Sequence, residues 1–105
     1  MLENLNNRVF SEQLHTNFQL WIPGAASLPL ELVEVTEKDP SPKVEQFCLV
    51  FRGPLTPHLP QGIYTLEHEK LGKFDLFIVP LGPDSAGMCY QVVFNRMRQP
   101  PDNSV

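Results

Sequence analysis

The stretch Leu59–Pro83, LPQGIYTLEHEKLGKFDLFIVPLGP, decides the fold. Two readings compete for it. In one, His58, Glu67, His68 and Glu69 form a metal or acid–base site. In the other, the same residues are turns and strand ends of a small β domain. Successive side chains of a strand point to opposite faces, so Glu67 and His68 diverge, as do His68 and Glu69. Glu67 and Glu69 share a face and present their carboxylates to solvent. No H-x-H pair sets two imidazoles on one side of a strand, as ligation of a zinc-like ion would need. The second reading wins. LPQG turns the chain into a strand, IYTLEHE, whose end carries His68 into solvent. KLGKFD reverses around Gly72. FDLFIVP is the next strand, with Phe74, Leu76 and Ile78 on one face and Phe77 and Val79 on the other. Gly62, where the first of these strands starts, is expected to need a positive φ or a close backbone approach.

The same alternation extends outward in both directions. Toward the N-terminus, EQFCLVF (Glu45–Phe51) is the clearest central strand, with Phe47, Leu49 and Phe51 alternating with Cys48 and Val50. LPLELVEVTE gives a strand from Leu28 to Thr36, in which Leu28, Leu30 and Leu32 share a face and Val33 and Val35 take the other parity. That switch predicts a β-bulge near Val33–Glu34. NFQLWIPG (Asn17–Gly24) is the first strand. Before it, Val9, Phe10 and Leu14 have helical spacing, and Asn7 is placed to cap a short helix through Leu14. Toward the C-terminus, MCYQVVFN (Met88–Asn95) alternates Met88, Tyr90, Val92 and Phe94 against the intervening residues. KDPSPK (Lys38–Lys43) and the long connection from Gly53 to Gly62 are rich in proline, which withholds ladder donors. Six short strands with little helix predict an all-β domain, a small barrel or two-sheet sandwich of antiparallel strands with a short N-terminal helix. The chain of 105 residues fits one domain, expected over 1–97, with a polar tail over 98–105.

Several strands have two apolar faces, and a barrel can turn only one inward. The second face calls for cover from the N-terminal helix, the proline-rich connection or a partner, so a protein partner or self-association is expected. Composition excludes other classes. Eight basic residues against twelve acidic ones, scattered singly, leave no stripe to neutralise phosphates, so nucleic-acid binding is disfavoured. No apolar run reaches bilayer-spanning length, so no membrane insertion is expected, and the polar start shows no signal peptide. A cytoplasmic protein, or part of a larger assembly, fits that pattern. Cys48 and Cys89 read as reduced thiols inside apolar strands, inert rather than nucleophilic.

The joint pattern of LELVEV (Leu30–Val35), FCLVFRGP (Phe47–Pro54), LPQGIYTLEHEKLG (Leu59–Gly72), FDLFIVPLGPD (Phe74–Asp84) and MCYQVVFN resembles an uncharacterised family of small bacterial domains, a domain of unknown function. The resemblance covers about residues 8 to 95. It implies an accessory role in a phage-tail-like or secreted bacterial assembly and supplies no catalytic residues.

No G-x-S-x-G elbow, phosphate-binding glycine loop or convergent carboxylate pair is present, so the chain reads as non-catalytic and free of cofactors and metal. The reading that follows is a structural or protein-interaction module. The alternative is a small-ligand-binding barrel or minor enzyme with its rim on the connection, where Arg52, His58, Gln61 and Tyr64 are the candidate residues. Arg52 itself stops a hydrophobic strand, and is expected to meet water, the carbonyls of the connection or Glu67. Gln61 is placed to tie the connection to a strand. Asp75 is expected in solvent or at the Gly72 turn.

Overall fold

Alternating inward and outward side chains close the chain into a ring. The computed structural model describes residues 5–37, 44–57 and 59–97. Its strands are β1 (Asn17–Trp21), β2 (Ser27–Glu37), β3 (Val44–Gly53), β4 (Gly62–His68), β5 (Gly72–Pro83) and β6 (Met88–Met97), preceded by helix α1 (Asn7–Ser11). They pair antiparallel in the order β1-β2-β3-β6-β5-β4, and β4 returns to β1 to close a barrel. Closure leaves no open sheet edge to be capped. His58, the segment 38–43 and the tail expected at 98–105 lie outside the described residues.

The longest ladder is β3–β6, in register from Val44–Met97 to Gly53–Met88. Phe47, Leu49 and Phe51 point inward from β3 and Tyr90, Val92 and Phe94 from β6, all buried. The bulge anticipated in β2 is there: Leu32 faces Phe51, but the next pair is Glu34 with Val50. The extra residue resets the parity and lets Val35 pack against the core. A second bulge lies in β5, between Pro80 and Gly82, and pushes Leu81 outward to 53% exposure. Proline cannot donate to a ladder, which is why this segment pairs irregularly.

Two stoppers fill the barrel ends. Phe10 of α1 is fully buried, with its ring centroid 6.2 Å from Phe47 and 5.6 Å from Phe94. Leu59 of the Gly53–Gly62 connection is buried as well, and its N–H donates to Tyr90 Oη at 2.9 Å. Phe94 and Tyr90 are four residues apart along β6, roughly 13 Å of strand, so the stoppers sit at opposite ends. Helix and connection thus complete the inner core; outward apolar side chains on β4, β5 and β6 stay exposed, while the outward Cys48 of β3 is buried. Ile63 is 70% exposed, Phe77 51% and Val93 59%.

Four expectations are corrected. The helix cap is Asn6, not Asn7: Asn6 is extended, and its Oδ1 accepts from Val9 N at 2.9 Å. The helix stops at Ser11 and leaves Leu14 exposed, because β1 begins too soon to allow another turn. Gly62 has no positive φ and no close approach; a Cβ there would meet the Tyr64 ring at 3.7 Å, ordinary contact. Its place is an in-register strand position opposite Ile78. His68, expected in solvent, is buried, because it shares the inward parity of Leu66 and the β4–β5 ladder runs all the way to it, pairing it with Gly72.

Candidate functional site

The outer wall carries a group of exposed apolar side chains. Ile63 on β4 and Phe77 on β5 are direct cross-strand partners with both side chains outward. On the neighbouring ladder Val79 pairs with Gln91, and continuing that register by two residues sets Phe77 on the same row as Val93. Val93 in turn faces Cys48 on β3. An apolar row therefore crosses β4, β5 and β6, with Leu81 bulged out above it. Below it the residues are polar and self-paired. Thr65 Oγ1 donates to Asp75 Oδ1 at 2.7 Å, and the next register pair is Glu67 with Lys73. An apolar strip with a polar margin has the anatomy of a protein-binding surface.

A second cluster ties the β5–β6 loop to β3. Asp84 Oδ2 accepts from Arg52 Nη2 at 2.7 Å and Nε at 3.1 Å, and from Cys89 Sγ at 3.4 Å. Asp84 Oδ1 accepts the backbone N–H groups of Ala86 and Gly87 at 2.8 and 2.9 Å. The Arg52 guanidinium, followed by those amides, holds the Asp84 carboxyl far below the usual carboxylate range. The same bond raises the Arg52 pKa, while burial first and then the Asp84 carboxylate push the Cys89 thiol up, away from nucleophilic reactivity. Both cysteines are free; Cys48 faces Val93, and Cys89 faces Arg52, four residues along the same ladder.

The third feature is a shallow cavity of about 490 Å³ between the start of β1 and the end of β4, lined by Thr16, Asn17, Gln19, Glu67, His68 and Glu69. Glu67 Oε1 accepts from Trp21 Nε1 at 3.1 Å, and Lys73 Nζ lies 5.9 Å from the Trp21 ring centroid. His68 points inward, 4.4 Å from the Phe18 ring centroid, with both nitrogens bonded to the protein. Neither nitrogen is offered to the cavity as a base. Among the described residues, no three His, Cys, Asp or Glu side chains are grouped to hold a metal ion, and no helix is long and apolar enough to cross a membrane.

The rim residues named from the sequence have separate partners. Among the described residues Arg52 bonds to Asp84, and not to the connection or Glu67. Tyr64 Oη donates to the Pro60 carbonyl at 2.7 Å, and Gln61 is exposed. His58 lies outside the described residues. Asp84 was not among the residues singled out from the sequence; D-x-x-G in a hairpin loop, with its Asp side chain able to accept the amides two and three residues on, was the signal that could have marked it. His68 was legible too, through its parity with Leu66.

Fold and surface together define a small closed β-barrel, stoppered at both ends, with an apolar strip on its outer wall. The chain belongs to the family described as a domain of unknown function, DUF6916, whose pattern matches residues 5–94. No curated protein and no solved structure matches the chain.

Proposed function

We propose that this barrel is a non-catalytic protein-interaction module that binds its partner, or a second copy of itself, through the outer wall of β4, β5 and β6. The observation that carries this reading is the exposed Ile63–Phe77 pair with Val93 on its row. A strand needs only one apolar face to build the barrel, so these side chains contribute nothing to closure. Covering them with a partner gains about 25 cal/mol for each Å² removed from water. The closed ring offers no strand edge, so association proceeds through side chains rather than by strand addition. The family resemblance suggests the setting, an accessory subunit of a phage-tail-like or otherwise secreted bacterial assembly.

Light scattering and cross-linking of the purified chain and of lysate test the proposal. The wild type associates. Ile63→Ser/Phe77→Ser keeps its thermal midpoint, since neither side chain is in the core, and loses that association. A strictly monomeric wild type with no cross-linked partner, or a double variant that associates unchanged, overturns it.

A further inference from the structure

Trp21 is the chain's one tryptophan, and it stands outside the core at 41% exposure. The alternation of β1 turns Asn17, Gln19 and Trp21 to the outer wall and Phe18 and Leu20 inward. Gln19 is the cross-strand partner of Glu67, and Trp21 that of Thr65. The indole is held where it stands, because its Nε1 donates to Glu67 Oε1 at 3.1 Å. Glu67 and Gln19 also line the cavity of about 490 Å³ at this end of β1 and β4. An anchored, exposed indole thus borders a hollow, and Glu67 belongs to both.

Every side chain lining the hollow is polar. The bonds already made leave much of that polarity unspent. Glu67 uses Oε1 on the indole, and Gln19 Oε1 accepts from Ser27 Oγ at 2.8 Å. Glu67 Oε2 and Gln19 Nε2 have no partner among the described residues, and Asn17 and Glu69 make no side-chain hydrogen bond there. Carboxylates that accept, an amide nitrogen that donates and an asparagine that does both therefore line one space.

Ligand classes meet this surface differently. An anion is repelled by Glu67 and Glu69, and no lysine or arginine lines the hollow to offset them. An apolar molecule finds no apolar side chain in the lining. A metal ion finds no group of three ligands among the described residues. A cation is drawn by the carboxylates, but Lys73 already stands over the indole as the local cation, 5.9 Å from the ring centroid. A polyol suits the surface on every count. Its hydroxyls both donate and accept, and the C–H face of a pyranose ring packs on an indole while its rim stays polar. We propose that this surface binds an uncharged saccharide, one sugar ring lying on Trp21 and the neighbouring hydroxyls reaching Asn17, Gln19 and Glu67. Lys73 sits at the outer limit of cation–π attraction, so an arriving sugar ring can displace it. The site is separate from the apolar row, since Ile63 lies two residues beyond Thr65 on β4.

With a single tryptophan, intrinsic fluorescence reports on this site alone. Titration with maltohexaose, cellohexaose and N-acetylated chitohexaose shifts the emission saturably for at least one of them, below about 10 mM. Calorimetry with the same sugar reads the variants. Trp21→Ala, which still folds because the side chain is outside the core, weakens binding by about tenfold or more, as loss of an anchoring aromatic does. Glu67→Gln keeps an acceptor for Nε1 and removes only the charge, so it binds an uncharged sugar within about threefold of wild type. Ile63→Ser/Phe77→Ser binds the sugar unchanged, so failure of the apolar wall and failure of this site are read apart. The proposal is overturned if none of the three sugars shifts the emission or gives heat, or if Trp21→Ala binds undiminished. It is also overturned if spermidine binds in place of the sugars and loses its affinity in Glu67→Gln, the behaviour of a cation site.

Discussion

The ring of Phe10, on a helix of five residues, lies 5.6 Å from the ring of Phe94 on the last strand. Phe94 in turn stacks on Phe47 at 4.5 Å, so the helix joins an existing aromatic pair. A helix this short is not stable alone in water. Its one capping bond and its buried ring hold it in place. Phe10→Ala should therefore cost about 3–5 kcal/mol in urea unfolding, the range for emptying a buried aromatic site. Phe10→Leu should cost clearly less, because it keeps most of the apolar volume. A loss below about 1 kcal/mol in Phe10→Ala would show that the barrel end closes without its stopper.

The bond between Arg52 and Asp84 makes stability depend on acid. The folded-state pKa of Asp84 lies below its ordinary value of 3.8, so its contribution is complete above that value and is lost as pH falls through the folded pKa. Wild type should melt above Asp84→Asn by a constant margin from about pH 8 to pH 5, and the margin should shrink below about pH 4. Both groups are partly exposed, so added salt should reduce the margin by screening. The amide bonds to Ala86 and Gly87 should keep some of it in place. A margin that grows on acidification would contradict the arrangement.

The sequence's legibility followed its distances. Strand alternation is local, so the inward sets Phe47–Leu49–Phe51 and Phe74–Leu76–Ile78 could be read directly, as could the β2 bulge from the parity switch at Val33. The partners of Arg52 and His68 are not local. Asp84 is 32 residues from Arg52, and Thr16 is 52 residues from His68. Nothing in either neighbourhood names them; barrel closure does. Surplus apolar surface on two-faced strands was legible, but which side chains gather was not: Ile63 opposite Phe77 comes from the ladder, and Val93 joins their row once the β5–β6 register is carried two residues past Val79–Gln91.

Three glycines separate close approach from mere position in a strand. A Cβ on Gly87 would strike the carbonyl oxygen of Gly53, and one on Gly53 would lie 2.6 Å from Leu30 Cδ2. Gly53 and Met88 are register partners, so the β6 backbone passes close over β3 here. The Gly87 obstacle is backbone and cannot turn aside. Leu30 is fully buried and has little freedom to move. Gly87→Ala and Gly53→Ala should each lose about 1–3 kcal/mol, with Gly87→Ala the worse. Gly62→Ala meets only the Tyr64 ring, at 3.7 Å. It should lie within about 0.5 kcal/mol of wild type or gain slightly, since alanine restricts the unfolded chain more than glycine does. Denaturant midpoints of the three variants decide the matter. A Gly62→Ala loss as large as that of Gly87→Ala would move the tight approach to the start of β4 and take it away from the β3–β6 crossing.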